Sequence, residues 1–180
     1  MTKLEIRFIP HAEIMGELQD QIEALDKLAF ADDGIDDDPE FAGIHWATPD
    51  WMALGFLNSE LVTQLCLPKR EINVGAEKVW VAGIGGMAAH PKFQHKGYGS
   101  ALLAAAEAYM RDEIQVPFGL LICADETRPF YKLARWQVAG DKLFYEQDNQ
   151  QRVLQTCVMI LSLDNQPWPA GEIGLCGSPW

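Results

Sequence analysis

No apolar run in this chain approaches the ~20 residues that a membrane-crossing helix needs, so no membrane partner is expected. Basic residues are scarce: 14 lysines and arginines stand against 26 aspartates and glutamates, a net charge of −12. Nucleic-acid binding is driven by lysine and arginine clusters that neutralise phosphates, so a nucleic-acid partner is not expected and a cationic ligand is favoured. Cysteine is sparse too. Cys66, Cys123, Cys157 and Cys176 are dispersed, with neither the paired spacing of a zinc site nor the density of a disulfide scaffold, which predicts buried thiols and no metal. The start, Met1-Thr2-Lys3-Leu4-Glu5-Ile6-Arg7, alternates charge with apolar residues and lacks the long apolar core of a secretory signal, so a cytoplasmic location is expected.

What is present fits one globular domain over residues 1–180, long enough to bury roughly two-thirds of its unfolded surface. The assembly state is left open, a homodimer included. Leu4, Ile6 and Phe8 alternate with charged residues as a first strand. Ile14, Leu18, Ile22, Leu25 and Leu28 then recur at helical spacing, with Glu13, Glu17, Asp20, Glu23 and Asp26 on the other faces. Residues 31–50 lose all periodicity and carry Asp32, Asp33, Asp36, Asp37, Asp38 and Glu40, a self-repelling run that is either solvated or faces something positive. Ala53 to Leu57 and Leu61 to Leu67 flank the turn-like Asn58-Ser59 as a hairpin.

The run Val79 to Ala89 is strand-like and uncharged, as a strand covered on both faces would be. Gly83, Gly85 and Gly86 inside it mark a bulge or a place where another part of the chain comes close. A helix is expected from Ser100 to about Arg111, with Glu107 positioned to pair with Arg111. Phe118 to Cys123 reads as a strand and Pro129 to Arg135 as a short helix. Trp136-Gln137-Val138 would then turn at Gly140-Asp141 into Lys142-Leu143-Phe144, and a last strand would run from Val153 to Leu161.

Between the central strand and the following helix lies Gln94-His95-Lys96-Gly97-Tyr98-Gly99. A strand leading through such a loop into a helix offers unpaired backbone N–H groups at the positive end of a helix dipole, which makes it an anion site. Glycines at 97 and 99 allow close approach by a phosphate, while Lys96 and His95 add positive character. The spacing is too short for a G-x-x-x-x-G-K-[ST] phosphate loop and lacks the third glycine of a dinucleotide fingerprint.

These residues resemble the signature Q/R-x-x-G-x-G/A of the GNAT superfamily of acetyltransferases. The similarity extends over Val79 to Tyr145, including Phe130-Tyr131-Lys132-Leu133, which looks like the family's F-Y-x-x-L-G-F segment with Ala134-Arg135-Trp136 in place of the usual ending. That loss of glycine is expected to alter the local helix stop. The resemblance implies an α/β (α+β) GNAT-like fold: a mixed, mostly antiparallel central sheet of about seven strands flanked by helices. It implies acetyl-CoA as cosubstrate, held by Met87, Ala88 and Ala89 along the pantetheine arm and by Gln94, His95, Lys96, Gly97, Tyr98, Gly99 and Ser100 at the pyrophosphate. It also implies Tyr131 as the acid that protonates the departing thiolate.

A finer resemblance is to the aminoglycoside 2′-N-acetyltransferases, through the hairpin after Trp136, the chain length, the acidic stretch and the final tryptophan. It implies a small cationic amine as the acceptor, with Asp32, Asp33, Asp36 and the free carboxylate of Trp180 as its contacts. That family carries a glutamate on the central strand where this chain has Gly85, so the base is left among the acidic loop reached through water, Glu71, Asp125 and the chain terminus. His90 and His45 are read as structural as readily as catalytic. A non-catalytic acetyl-CoA sensor and a peptide or protein acetyltransferase stand as alternatives, and Tyr131 favours an enzyme over a sensor.

Overall fold

The structure is a computed structural model that describes residues 3–31, 41–140 and 142–180. In chain order the strands are β1 (Glu5–Pro10), β2 (Trp51–Leu57), β3 (Glu60–Leu67), β4 (Lys69–Val74), β5 (Glu77–Ala89), β6 (Phe118–Cys123), β7 (Gln137–Val138), β8 (Leu143–Gln147), β9 (Gln150–Leu154), β10 (Cys157–Ser162) and β11 (Ile173–Gly174). The helices are α1 (Glu17–Ala29), α2 (Tyr98–Tyr109) and α3 (Arg128–Leu133). One mixed sheet joins all eleven strands, and its only parallel pairs are β5 with β6 and β11 with β8 among the described residues.

The fold class expected from the sequence holds, but the sheet is larger than seven strands. The additional strands gave little periodic signal: β4 opens on Lys-Arg-Glu, β9 on Gln-Gln-Arg, and β7 and β11 are two residues each. Two connections differ from expectation. β7 pairs with β10, Val138 opposite Met159, and not with β8, so no hairpin turns at Gly140. The run from Val153 to Leu161 divides at Gln155-Thr156 into β9, which pairs with β8, and β10, which pairs with β6.

Asn58 and Ser59 both take positive φ, 48° and 69°, which is the two-residue turn whose twist matches a hairpin, and it joins β2 to β3. β3 then runs through Pro68 into β4, and both lie against the long β5. The Pro68 carbonyl accepts from Gly83 N at 2.7 Å and bridges the two ladders.

Successive residues of a strand point to opposite faces. In β2, Ala53 packs in the cluster that holds Leu102, Leu103 and Ala106 of α2, while Met52 and Leu54 pack with Leu25 of α1. The two helices therefore cover opposite faces of this half of the sheet. A third cluster, on Val79, Val81, Phe118, Leu120 and Leu143, is closed by Trp180 of the C-terminal segment.

Helix α2 ends at Tyr109 in one wide turn, Met110–Ile114, and Gln115 closes it at φ 58°. The expected Glu107–Arg111 pair does not form. Glu107 instead accepts from Trp136 Nε1 at 2.7 Å, and Arg111 pairs with its neighbour Asp112 at 2.9 Å. The cysteines are not uniformly buried: Cys123 is buried, Cys66 and Cys157 are half-buried, and Cys176 is exposed.

Candidate active site

The parallel pairing of β5 with β6 runs from Val81 to Ile84 and stops there, while β5 continues to Ala89. On its other edge β5 stays paired with β3, Gly85 opposite Cys66 and Ala88 opposite Gln64, so β5 carries one extra residue between these pairs. Gly86 sits in that bulge at φ +52°, a conformation that favours glycine. The last turns of β5 thus part from β6 and leave a wedge.

Within it, Ala88 is committed to β3, and its carbonyl accepts from Thr63 Oγ1 at 2.8 Å. His90 N donates to Val62 O, so by alternation the backbone groups of Ala89 face the wedge, where the Ala89 carbonyl accepts from Gln94 Nε2 at 3.2 Å. Met87 spans two parts of the site. Its Cε would lie 3.4 Å from a Cβ on Gly99, and its Sδ receives the Tyr131 hydroxyl at 3.6 Å.

The loop after β5 begins with a tight turn, Pro91–Phe93, capped by His90, whose Nδ1 accepts from Lys92 N at 3.2 Å. His90 therefore acts as a strand-end cap. Lys96 folds back onto the Lys92 carbonyl at 2.8 Å and over the Phe93 ring, which Tyr98 meets edge-on. His95 takes φ 58° and Gly97 φ 83°. Gly97 is the residue before α2, and no side chain caps this helix start, so the first N–H groups of Tyr98, Gly99 and Ser100 are free of a side-chain partner. A Cβ on Gly97 would meet nothing within 4 Å, leaving open space in front of the helix.

Tyr131 lies on α3 and is buried, with its ring edge-on to Phe130 and Trp136. Burial pushes its phenol above the ordinary value and the neighbouring Cys123 adds to the shift, so at neutral pH the hydroxyl keeps its proton. The expectation that Arg135 alters the helix stop is not met. Arg135 adopts φ +69°, its N–H bonds to Lys132 O at 3.0 Å and Trp136 N to Tyr131 O at 3.2 Å, the paired bonds of a left-handed Schellman stop that glycine normally makes. Trp136 lands on Gly119, where a Cβ would be 2.7 Å from the indole.

On the α1 face, the glycines of β5 have a clear reason. A Cβ on Gly83 would overlap the Trp180 indole, and one on Gly85 would stand 2.9 Å from the Trp180 carbonyl carbon. The indole N–H donates to Leu120 O at 3.3 Å, and Arg70 lies over the ring while donating to Ser178 O at 2.7 Å. Ala47 N donates to Pro179 O at 2.7 Å and ties the segment after the acidic run to this tail. Asp32, Asp33 and Asp36 lie outside the described residues.

Of the groups considered as base, the chain terminus lies at the central strand, with the Trp180 main-chain carbon 2.9 Å and its oxygen 3.5 Å from a Cβ on Gly85, while the others lie elsewhere. Glu71 pairs with Lys78 at 3.1 Å and Asp125 with Arg128 at 3.5 Å, all at the surface, and His45 is held through its backbone N–H by Gln147. One carboxylate was missed by sequence reasoning. Asp26 of α1 accepts from Gln64 Nε2 at 2.6 Å, beside the bulge. The signal was there: Asp26 follows Ile22 by four residues and so borders the apolar stripe, and Gln64 alternates with Val62 and Cys66 on one strand.

The chain matches the acetyltransferase (GNAT) domain over residues 14–139. No curated protein matches it. Among solved structures, the GNAT family N-acetyltransferase YhbS from Escherichia coli, in complex with CoA, is 12% identical with a TM-score of 0.67, covering 98% of this chain and 91% of that one. ElaA from Escherichia coli is 16% identical with a TM-score of 0.63, covering 88% and 99%. An acyl-CoA N-acyltransferase from Pseudomonas aeruginosa is 12% identical with a TM-score of 0.62, covering 88% and 99%. At these identities the likenesses establish a shared fold, and the domain match supplies the family. With that match spanning most of the sequence, the chain belongs to the GNAT family of acetyltransferases, acyltransferases that use acetyl-CoA.

Proposed function

We propose that this chain moves an acetyl group from acetyl-CoA to a primary amine of a small cationic acceptor, aminoglycoside-like compounds among the candidates. The observation that carries the reading is the convergence on Met87: the uncapped start of α2 approaches one end of its side chain through Gly99, and the Tyr131 hydroxyl the other. The cosubstrate fits these residues. The left-handed Gly97 and the open space before it suit a pyrophosphate on the N–H groups of Tyr98, Gly99 and Ser100, and the wedge along Met87 and Ala89 suits an extended arm that bonds to strand backbone. Gln94, His95 and Lys96 shape the loop, and Ala88 contributes through the strand it holds in place.

Bound there, acetyl-CoA supplies an activated acyl group and a thiolate leaving group. Tyr131, kept protonated by burial, donates its proton where the thiolate departs. The acidic composition supports a cationic acceptor, and Trp180, with Asp32, Asp33 and Asp36, belongs to the proposed acceptor side. The same reading takes residues 1–180 as one domain, needs no second macromolecule, and applies to monomer or homodimer.

The test follows thiol release from acetyl-CoA with a panel of aminoglycosides, polyamines and lysine peptides, with Tyr131→Phe as the control. Turnover on cationic small molecules that falls by about 10²-fold in the variant supports the reading. Coenzyme binding without turnover on any amine overturns it in favour of a sensor, and turnover confined to peptides reassigns the acceptor. Gly97→Asp places a carboxylate at the phosphate position, and a calorimetric Kd for CoA is expected to rise at least tenfold. An unchanged Kd removes the loop from the site.

A further inference from the structure

On the acceptor side, the surroundings of Asp26 hold an unmet hydrogen-bonding demand. Gln64 is 1% exposed, and its Nε2 donates to Asp26 Oδ1 at 2.6 Å and approaches Ile22 O at 3.5 Å. Its other amide atom, Oε1, is buried with no hydrogen-bond partner. A buried amide oxygen left unpaired is costly and calls for an explanation. Turning the amide over does not relieve it, because Oε1 would then face the Asp26 carboxylate. An N–H donor arriving beside this carboxylate would satisfy the unpaired amide oxygen.

This pair is also in the right place. Gln64 stands opposite Ala88 on β5, and the next inward residue, Cys66, stands opposite Gly85. The Cys66 Sγ would be 3.2 Å from a Cβ on Gly86. The two acceptors therefore flank the bulge at which β5 leaves β6, on the face covered by α1. A Cβ at position 85 would stand 2.9 Å from the Trp180 main-chain carbon, so an acidic side chain there would have to displace Trp180.

We propose that Asp26 is the proton acceptor for the incoming amine, and that Gln64 positions both, holding the carboxylate through Nε2 and receiving the amine through Oε1. The inference rests on the acetyltransferase reading. In balance, the arriving ammonium gives one proton to Asp26, its nitrogen bonds to the acetyl carbon, and the carbon–sulfur bond breaks. Tyr131 protonates the thiolate, the second amine proton restores Tyr131 through solvent, and Asp26 releases its proton to solvent before the next turnover.

Electrostatics agree with this role. Burial pushes the Asp26 carboxyl above the usual carboxylate range, the Gln64 hydrogen bond opposes that rise, and Glu23 on the same helix reinforces it. The Cys66 thiol faces Asp26 from β3. Burial pushes it up to about 12, with the charge of Asp26 adding to the rise, so it stays protonated and does not compete as a base. A carboxyl whose folded pKa is raised contributes its stability below the unfolded pKa and loses it as pH climbs through the folded one. As Asp26 ionises with rising pH, it therefore works against the fold.

The experiment compares wild type, Asp26→Asn, Asp26→Glu and Gln64→Leu on an amine that wild type turns over, across about pH 5 to 9. Asp26→Asn is expected to melt no lower than wild type, since Asn keeps an acceptor for Gln64 Nε2. Its kcat/KM should fall by about 10²-fold and lose the acidic limb of the pH profile, with Asp26→Glu restoring part of both. Gln64→Leu is expected to raise the KM for the amine and, in calorimetry without acetyl-CoA, to weaken amine binding. If wild type acetylates amines and Asp26→Asn stays within about threefold with the same pH profile, the assignment is overturned while the acetyltransferase reading stands. A slow variant with a lowered melting temperature and an unchanged profile also overturns it, as a packing role. A wild type inert towards every amine removes the acetyltransferase reading and this assignment with it.

Discussion

The contact between Gly83 and Trp180 permits a quantitative test by double-mutant cycle. Trp180 is 6% exposed, bonds to Leu120 O, and lies under Arg70. Removing it with Trp180→Ala is expected to cost about 3–5 kcal/mol, the usual range for a large aromatic cut from a core. Gly83→Ala in the wild-type background forces a methyl into the indole, and overpacking of this kind costs about 1–3 kcal/mol. In the Trp180→Ala background that obstacle is gone. The methyl then enters space the tryptophan vacated, and the general preference for alanine over glycine inside a strand favours it by about 0.5–1 kcal/mol.

The sign of the Gly83→Ala effect should therefore reverse between backgrounds, with a coupling of about 2 kcal/mol or more. Urea unfolding of the four proteins measures it, provided the slopes match so that midpoints report stability. Equal costs for Gly83→Ala in both backgrounds would refute the explanation of this glycine by the tryptophan.

Two further outcomes follow from local geometry. Arg135 pays for a left-handed conformation that costs a residue with a Cβ about 1–2 kcal/mol, so Arg135→Gly is expected to stabilise by about 0.5–1 kcal/mol after the entropy of glycine is subtracted, and a lower urea midpoint would refute this. Glu107 is pushed above its ordinary value of 4.5 first by burial, against the Trp136 hydrogen bond and the charges of Arg135 and Arg111, so its ionisation opposes folding as pH rises through the folded value. Glu107→Gln, which keeps an oxygen for Trp136 Nε1, should match wild type well below 4.5 and gain on it towards pH 7; a gap that narrows with rising pH would refute that sign.

The strands and helices built from long periodic runs were legible in the sequence to within a few residues: β5, β6, α1 and α2 needed only hydrophobic spacing. The partners of the short strands were not. Gln137 and Val138 are both exposed, so nothing in their pattern distinguishes pairing with β10 from pairing with Leu143. The loop from Gln94 to Gly99 was legible as a glycine-containing turn between a buried strand and an alanine-rich helix, and its helix start without a side-chain cap is where the coenzyme is proposed to bind. Asp26 was not, because on a surface helix an aspartate among other acids is indistinguishable from solvated charge until its neighbour across the sheet is known. Arg135 shows a different limit. Composition predicts conformation only on average, and two backbone hydrogen bonds at the end of α3 hold arginine where glycine is the rule.

The glycines of β5 connect these levels. Their sequence pattern implied a close approach without naming what approached, and the structure gives each a separate cause: an indole at Gly83, a main-chain carbon at Gly85, and a bulge at Gly86. The first two follow from the seating of the C-terminal segment, the third from the parting of β5 and β6. With position 85 filled from 95 residues further along the chain, an acidic side chain cannot occupy it without displacing Trp180. The proton acceptor proposed for this face comes instead from a neighbouring element, for α1 is packed against it with Asp26 bonded to Gln64. On that reasoning the two features are linked: Gly85→Glu should unseat Trp180 and lower stability, and in an Asp26→Asn background it should return part of the lost rate. Loss of stability with no recovery of rate would leave the tail a packing element and separate it from the proton's path.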